Sequence, residues 1–67
     1  MRWGFYWIRE WDGTVEMVRA EFLGHKTVLA PNMVRINYCD GIVHEVTENY
    51  FYSLAIRMAY NSEINPM

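Results

Sequence analysis

The run WGFYWIREWDGTVEMVRAEF, residues Trp3 to Phe22, decides the architecture: two stretches rich in aromatic and β-branched residues meet at Asp12-Gly13. A two-residue Asp-Gly loop favours a type I′ turn, because these residues tolerate the positive φ needed at both central positions, so the run predicts a β-hairpin. Fixing the register at that turn sets Trp11 opposite Thr14, Arg9 opposite Glu16, Trp7 opposite Val18, Phe5 opposite Ala20 and Trp3 opposite Phe22. These pairs share one side, which reads as the core face, ending in an opposite-charge cross-strand pair between Arg9 and Glu16. The other side holds Ile8 with Met17 and Tyr6 with Arg19, the latter spaced for a cation–π contact.

Outward from this hairpin the chain keeps the rhythm of a meander. Gly24-His25 fits a II′ turn with Gly first, predicting a third strand that brings Thr27 opposite Phe22 and Leu29 opposite Ala20. Pro31-Asn32 ends it, Met33 to Cys39 reads as a fourth strand, and a second Asp-Gly pair, Asp40-Gly41, returns Ile42 to Val46 as a fifth. Val34, Ile36, Tyr38 and Val43 then share one face, with Glu45 out of place among them; Arg35, Asn37, Cys39, Ile42, His44 and Val46 share the other.

Thr47 to Tyr60 reads as a helix. Thr47 is an acceptable N-cap, Glu48 suits the helix N-terminus and Arg57 the C-terminus, and Leu-Ala-Ile-Arg-Met-Ala is a helix-forming run. Phe51, Leu54, Ala55 and Met58 form one stripe, while Tyr52, Ile56 and Tyr60 are left on the far side. Asn61 to Met67 reads as a polar tail. The expected fold is therefore α+β within a single domain over residues 1–67: a five-stranded antiparallel meander over 1–46, curled like a small open barrel, with a helix over 47–60 on one face. The alternative is an all-β SH3-like barrel with residues 47–60 as a long bent strand.

Composition narrows the function classes. The chain has 67 residues, 52% of them hydrophobic, with three Trp, five Tyr and three Phe. A chain this short buries only about 60% of the surface its unfolded form exposes, so it depends on an apolar core or on a partner. Cys39 is the only cysteine, which excludes an internal disulfide and a Cys-rich zinc site. Met1 to Glu10 lacks the charged and apolar regions of a signal peptide, no stretch approaches the ~18 apolar residues of a membrane span, and a lone thiol suits a reducing compartment, so a cytoplasmic location is expected. Six basic and eight acidic residues give a net charge of −2 with no basic run, which disfavours nucleic acid and membranes as partners.

No catalytic constellation stands out. The second Asp-Gly hairpin places Asn37, Cys39 and His44 on one face, the residue types of a cysteine nucleophile with base and orienter, but a single hairpin leaves little room for a substrate pocket. His25 and His44 lie far apart with no ligand spacing, so neither metal nor cofactor is expected. Trp3, Phe5 and Trp7 read as core rather than as a base-stacking platform. The reading is a small non-catalytic protein-binding or inhibitor module, of a size that suits a bacterial or phage-encoded protein, and a homodimer. A single-stranded nucleic-acid-binding β-domain is the alternative, and a thiol enzyme using Cys39 the remote one. Apolar groups beyond what one helix can cover give the expected binding surface: Tyr6, Ile8, Met17 and Arg19, then Tyr52, Ile56 and Tyr60.

Overall fold

The computed structural model describes residues 2–65, so positions 66 and 67 of the expected tail lie outside the described residues. The elements are β1 (Arg2–Arg9), β2 (Val15–Gly24), β3 (Met33–Asn37), β4 (Val43–Thr47), α1 (Glu48–Leu54), β5 (Ala55–Met58) and α2 (Asn61–Ile64). They build one five-stranded sheet in the order β4-β3-β2-β1-β5, all neighbours antiparallel, with β4 and β5 at its edges. A five-stranded antiparallel sheet was expected, but its membership differs from the expected one.

The hairpin register is shifted by one residue. Gly13 N–H donates to the Glu10 carbonyl at 2.9 Å and Glu10 N–H to the Thr14 carbonyl at 2.8 Å, so Trp11, Asp12 and Gly13 form a three-residue loop. Gly13 takes φ +91°, the left-handed position that closes a type I turn with a bulge. Asp12 Oδ1 accepts from the Thr14 N–H at 3.0 Å and from its hydroxyl at 2.7 Å, which locks the loop. The second hairpin repeats this design: Gly41 N–H bonds the Tyr38 carbonyl, Tyr38 N–H bonds the Ile42 carbonyl, Asp40 Oδ1 accepts from the Ile42 N–H, and Gly41 has φ +93°. An Asp-Gly pair serves either loop length, and here the longer one is used.

One residue of slip exchanges the faces of a strand pair. Phe5 lies opposite Arg19, Trp7 opposite Met17, Ile8 opposite Glu16 and Arg9 opposite Val15, so the expected Arg9–Glu16 and Tyr6–Arg19 pairings do not form. The buried side is the even-numbered one. Ile8, Val18, Ala20, Phe22, Val34 and Ile36 are buried there, and Tyr6 and Val46 pack against them. Trp3, Phe5 and Trp7, expected as core, stand on the opposite side.

The expected third strand over residues 26–30 is absent. The chain leaves the sheet after Gly24, and residues 25–32 form a loop containing a turn closed by Ala30 N–H to the Thr27 carbonyl at 3.1 Å. β3 takes the place beside β2, because Val34 and Ile36 bring two fully buried β-branched side chains to the core. Val28 and Leu29 remain exposed in the loop.

The expected helix over 47–60 is cut in two. Thr47 does cap α1, its hydroxyl accepting from Tyr50 N–H at 3.1 Å, and Phe51 drives an aromatic ring into the even face against Tyr6 and Phe22. The helix stops at Leu54, where Ala55 turns extended. Ala55 to Met58 then pair with the outer edge of β1, which a continuous helix would have left without partners. A bulge at Trp7/Ile8 lets Ala55 sit opposite Ile8 and Arg57 opposite Trp7. The expected polar tail contains α2, held by Glu63, whose carboxylate accepts from Tyr60 N–H and, bidentate, from Arg57, all at 2.8 Å.

Candidate functional site

The sheet has one covered face and one open face. α1 lies on the even side. On the odd side α2 reaches the sheet at the β5 corner, through the Arg57–Glu63 pair and through Glu63 beside Trp7, whose indole nitrogen is buried.

The open face divides into two halves. Along β1 runs an aromatic row, Trp3, Phe5 and Trp7, with Met17 beside Trp7 on β2. Trp3 and Phe5 meet edge to face at 5.7 Å, and the Arg19 guanidinium sits 4.7 Å over the Trp3 ring. Across β2, β3 and β4 runs a ladder of alternating charge: Arg19, Glu21, Arg35, Glu45. Arg35 approaches Glu45 at 3.3 Å and Glu21 at 3.8 Å, and Arg19 reaches Glu21 at 4.0 Å. Glu21 is buried and also accepts from Asn37 Nδ2 at 2.9 Å, so its charge is matched on several sides. Charges in such a ladder satisfy one another and keep half of an uncovered sheet face wetted, while the aromatic half has no such reason to face water.

A second apolar area lies at the β5 edge. Tyr52, Ile56, Met58 and Tyr60 are 47%, 49%, 57% and 63% exposed. Tyr52 stacks on Phe22 at 6.2 Å, and the Arg57 guanidinium lies 4.4 Å over the Tyr60 ring.

The expected surface residues therefore scatter. Tyr52, Ile56 and Tyr60 are exposed at the β5 edge, and Met17 and Arg19 belong to the open face. Tyr6 is half-buried on the covered face, where burial raises its phenol pKa. Ile8 is fully buried, so it is corrected from surface to core. The Asn37, Cys39 and His44 grouping is not brought together: His44 pairs with Ile36 on the covered side and stacks edge-on with Tyr38, Asn37 is on the open side, and the exposed Cys39 thiol donates to the Met17 carbonyl at 3.5 Å.

A cleft of about 280 Å³ lies where the two Asp-Gly loops come together, lined by Glu10, Asp12, Glu16 and Asp40 with Tyr38 and His44. Partial burial and the neighbouring Glu10, Asp40 and Asp12 raise the Glu16 pKa, and burial, with Glu10 alongside, pushes the Tyr38 phenol up to about 12. Hydrogen bonds from Thr14 lower that of Asp12. Four carboxylates make this end of the molecule a region of negative potential. No group of three or more His, Cys, Asp or Glu among the described residues is arranged to hold a metal ion, and no helix of these residues is long and apolar enough to cross a membrane.

Neither the open face nor the cleft was anticipated from the sequence. Alternation could not decide between the two registers: the two-residue-loop register gathers Trp3, Phe5, Trp7, Val18, Ala20 and Phe22 on one side, and the observed register gathers Tyr6, Ile8, Val18, Ala20 and Phe22.

No family model, no curated protein and no solved structure matches this chain.

Proposed function

We propose that this domain is a small non-catalytic protein-binding module, acting as an inhibitor or adaptor, and that its docking surface is the open sheet face around Trp3, Phe5, Trp7 and Met17. The observation that carries this reading is the aromatic row on β1, an inner strand, in which Trp3 is half exposed and Phe5 and Trp7 partly so, with α2 reaching the Trp7 end of the row. Aromatic and Met side chains are what interface cores are enriched in, and Arg19 supplies the polar rim. The rigid sheet fixes their spacing before a partner arrives, which reduces the ordering cost of binding. Capture from the native host tests it, using the wild-type chain and a Phe5→Glu variant of unchanged circular dichroism in parallel. A protein held in stoichiometric amount by the wild type and lost by the variant supports the reading; equal capture by both overturns it.

A single-stranded nucleic acid is the second reading, favoured by one observation: four of the five arginines, Arg9, Arg19, Arg35 and Arg57, lie at odd positions on the face that carries the aromatic row. Bases stack on such rows and arginines track the backbone. It ranks second because Arg19, Arg35 and Arg57 each face a carboxylate within 4.0 Å, which reduces the positive potential offered to phosphate. Titration with a single-stranded oligonucleotide at low salt separates the two: quenched Trp emission favours nucleic acid, and unchanged emission favours protein.

A further inference from the structure

We infer that the occupant of the open face is a second copy of this chain, the two sheets packing face to face across a two-fold axis. The inference rests on the docking-face reading above and names its partner.

Three features support a copy of this chain as the occupant. The first is area. Five strands at ~4.8 Å spacing, with strands of about six residues at ~3.3 Å each, present roughly 500 Å² of projected face, so two such faces cover on the order of 1,000 Å², the lower bound for a specific interface and the range of a dimer that exchanges with single chains at micromolar concentration. The second is charge. Arg19, Glu21, Arg35 and Glu45 alternate in sign and cancel, so the face does not repel its own copy as a face of one sign would. The third is the small core. Among the described residues seven apolar ones are buried, while Trp3, Val15 and Val43 on the open side are about half exposed. A face-to-face pair gives each chain a second apolar layer, with Trp3, Phe5, Trp7 and Met17 at its centre, and α1 stands clear on the far side of the sheet.

Sedimentation velocity from low to high micromolar concentration tests this on the full chain, with Phe5→Glu and Ile56→Glu variants alongside. The wild type is expected to move from the 8.0 kDa chain mass to twice that mass. Phe5→Glu is expected to stay at one chain mass with unchanged circular dichroism, and Ile56→Glu to dimerise as the wild type does. Acrylamide quenching of the wild type provides a readout independent of any variant: Trp3, half exposed in the single chain, should become shielded as concentration rises while Trp11, at the hairpin tip, stays accessible. A single 8.0 kDa species at every concentration overturns the inference, and the docking-face reading then stands or falls on the capture experiment. A dimer that survives Phe5→Glu and is lost in Ile56→Glu also overturns it, by moving the interface to the β5 edge.

Discussion

Glu16 and Ile8 are direct cross-strand partners, so a carboxylate stands on the covered side of the sheet next to a fully buried aliphatic side chain. Desolvation, then Glu10, Asp40 and Asp12, raise its pKa above the ordinary 4.5. A raised carboxyl pKa favours folding while the group is protonated, below about its ordinary value, and that contribution is lost as pH rises through the elevated one. Glu16→Gln is therefore expected to stabilise the fold at pH 7 by about 0.5 kcal/mol, the size of a like-charge cross-strand repulsion. Thermal melts should show the gain shrinking to nothing below about pH 4; a variant less stable than wild type at pH 7 contradicts this account.

Glu63 behaves in the opposite sense. The bidentate hydrogen bonds from Arg57 and the Tyr60 N–H hold its carboxyl down to about 2, against an ordinary 4.5. Its stabilising effect is present above the ordinary value and is lost as pH falls from there toward the depressed one. Carboxyl NMR should show Glu63 titrating well below the ordinary glutamate range on acidification, with the amide signals of residues 60–64 broadening in the same window. Glu63→Gln should remove that window.

The shifted register has a sharp mutational signature. Ile8→Ala removes a fully buried side chain and is expected to cost about 2–5 kcal/mol. Trp3→Ala, on the open face, gives up mainly the Arg19 contact and is expected to cost about 0.5–1 kcal/mol. Urea unfolding of both decides the matter: the reverse order would restore the register of a two-residue turn.

The two hairpin glycines have open space where a Cβ would go, so only their backbone conformation resists substitution. Gly13→Ala and Gly41→Ala, at φ +91° and +93°, are each expected to cost about 1–2 kcal/mol, and Gly→Asn less, because Asn tolerates left-handed backbone. Equal melting temperatures for Gly13→Ala and the wild type would rule out the bulged loop.

Phe51 is the one buried residue of α1, ringed by Tyr6 at 5.2 Å, Tyr52 at 5.5 Å and Phe22 at 5.7 Å. Phe51→Ala is expected to cost about 3–5 kcal/mol, a large share of the stability of a small domain. Hydrogen exchange should show α1 losing protection with β5, since Ala55 follows the helix directly.

What the sequence determined by itself is local. The two Asp-Gly pairs placed the hairpin turns, alternating apolar runs placed β1 to β4 within a few residues, and Thr47 marked the start of α1, because each signal depends on neighbours in the chain. The tertiary structure decided which face is inside and where the last strand lies. Alternation is preserved when a hairpin slips by one residue, so the side chains near Asp12-Gly13 fit either loop length. The choice falls to distant contacts: Phe51 can seal Ile8, Val18, Phe22, Val34 and Ile36 only if the even side is inward, and that leaves Trp3, Phe5 and Trp7 outside. Ala55 to Met58 have helical propensity but become a strand because the edge of β1, nearly fifty residues earlier in sequence, offers hydrogen bonds that no local pattern encodes.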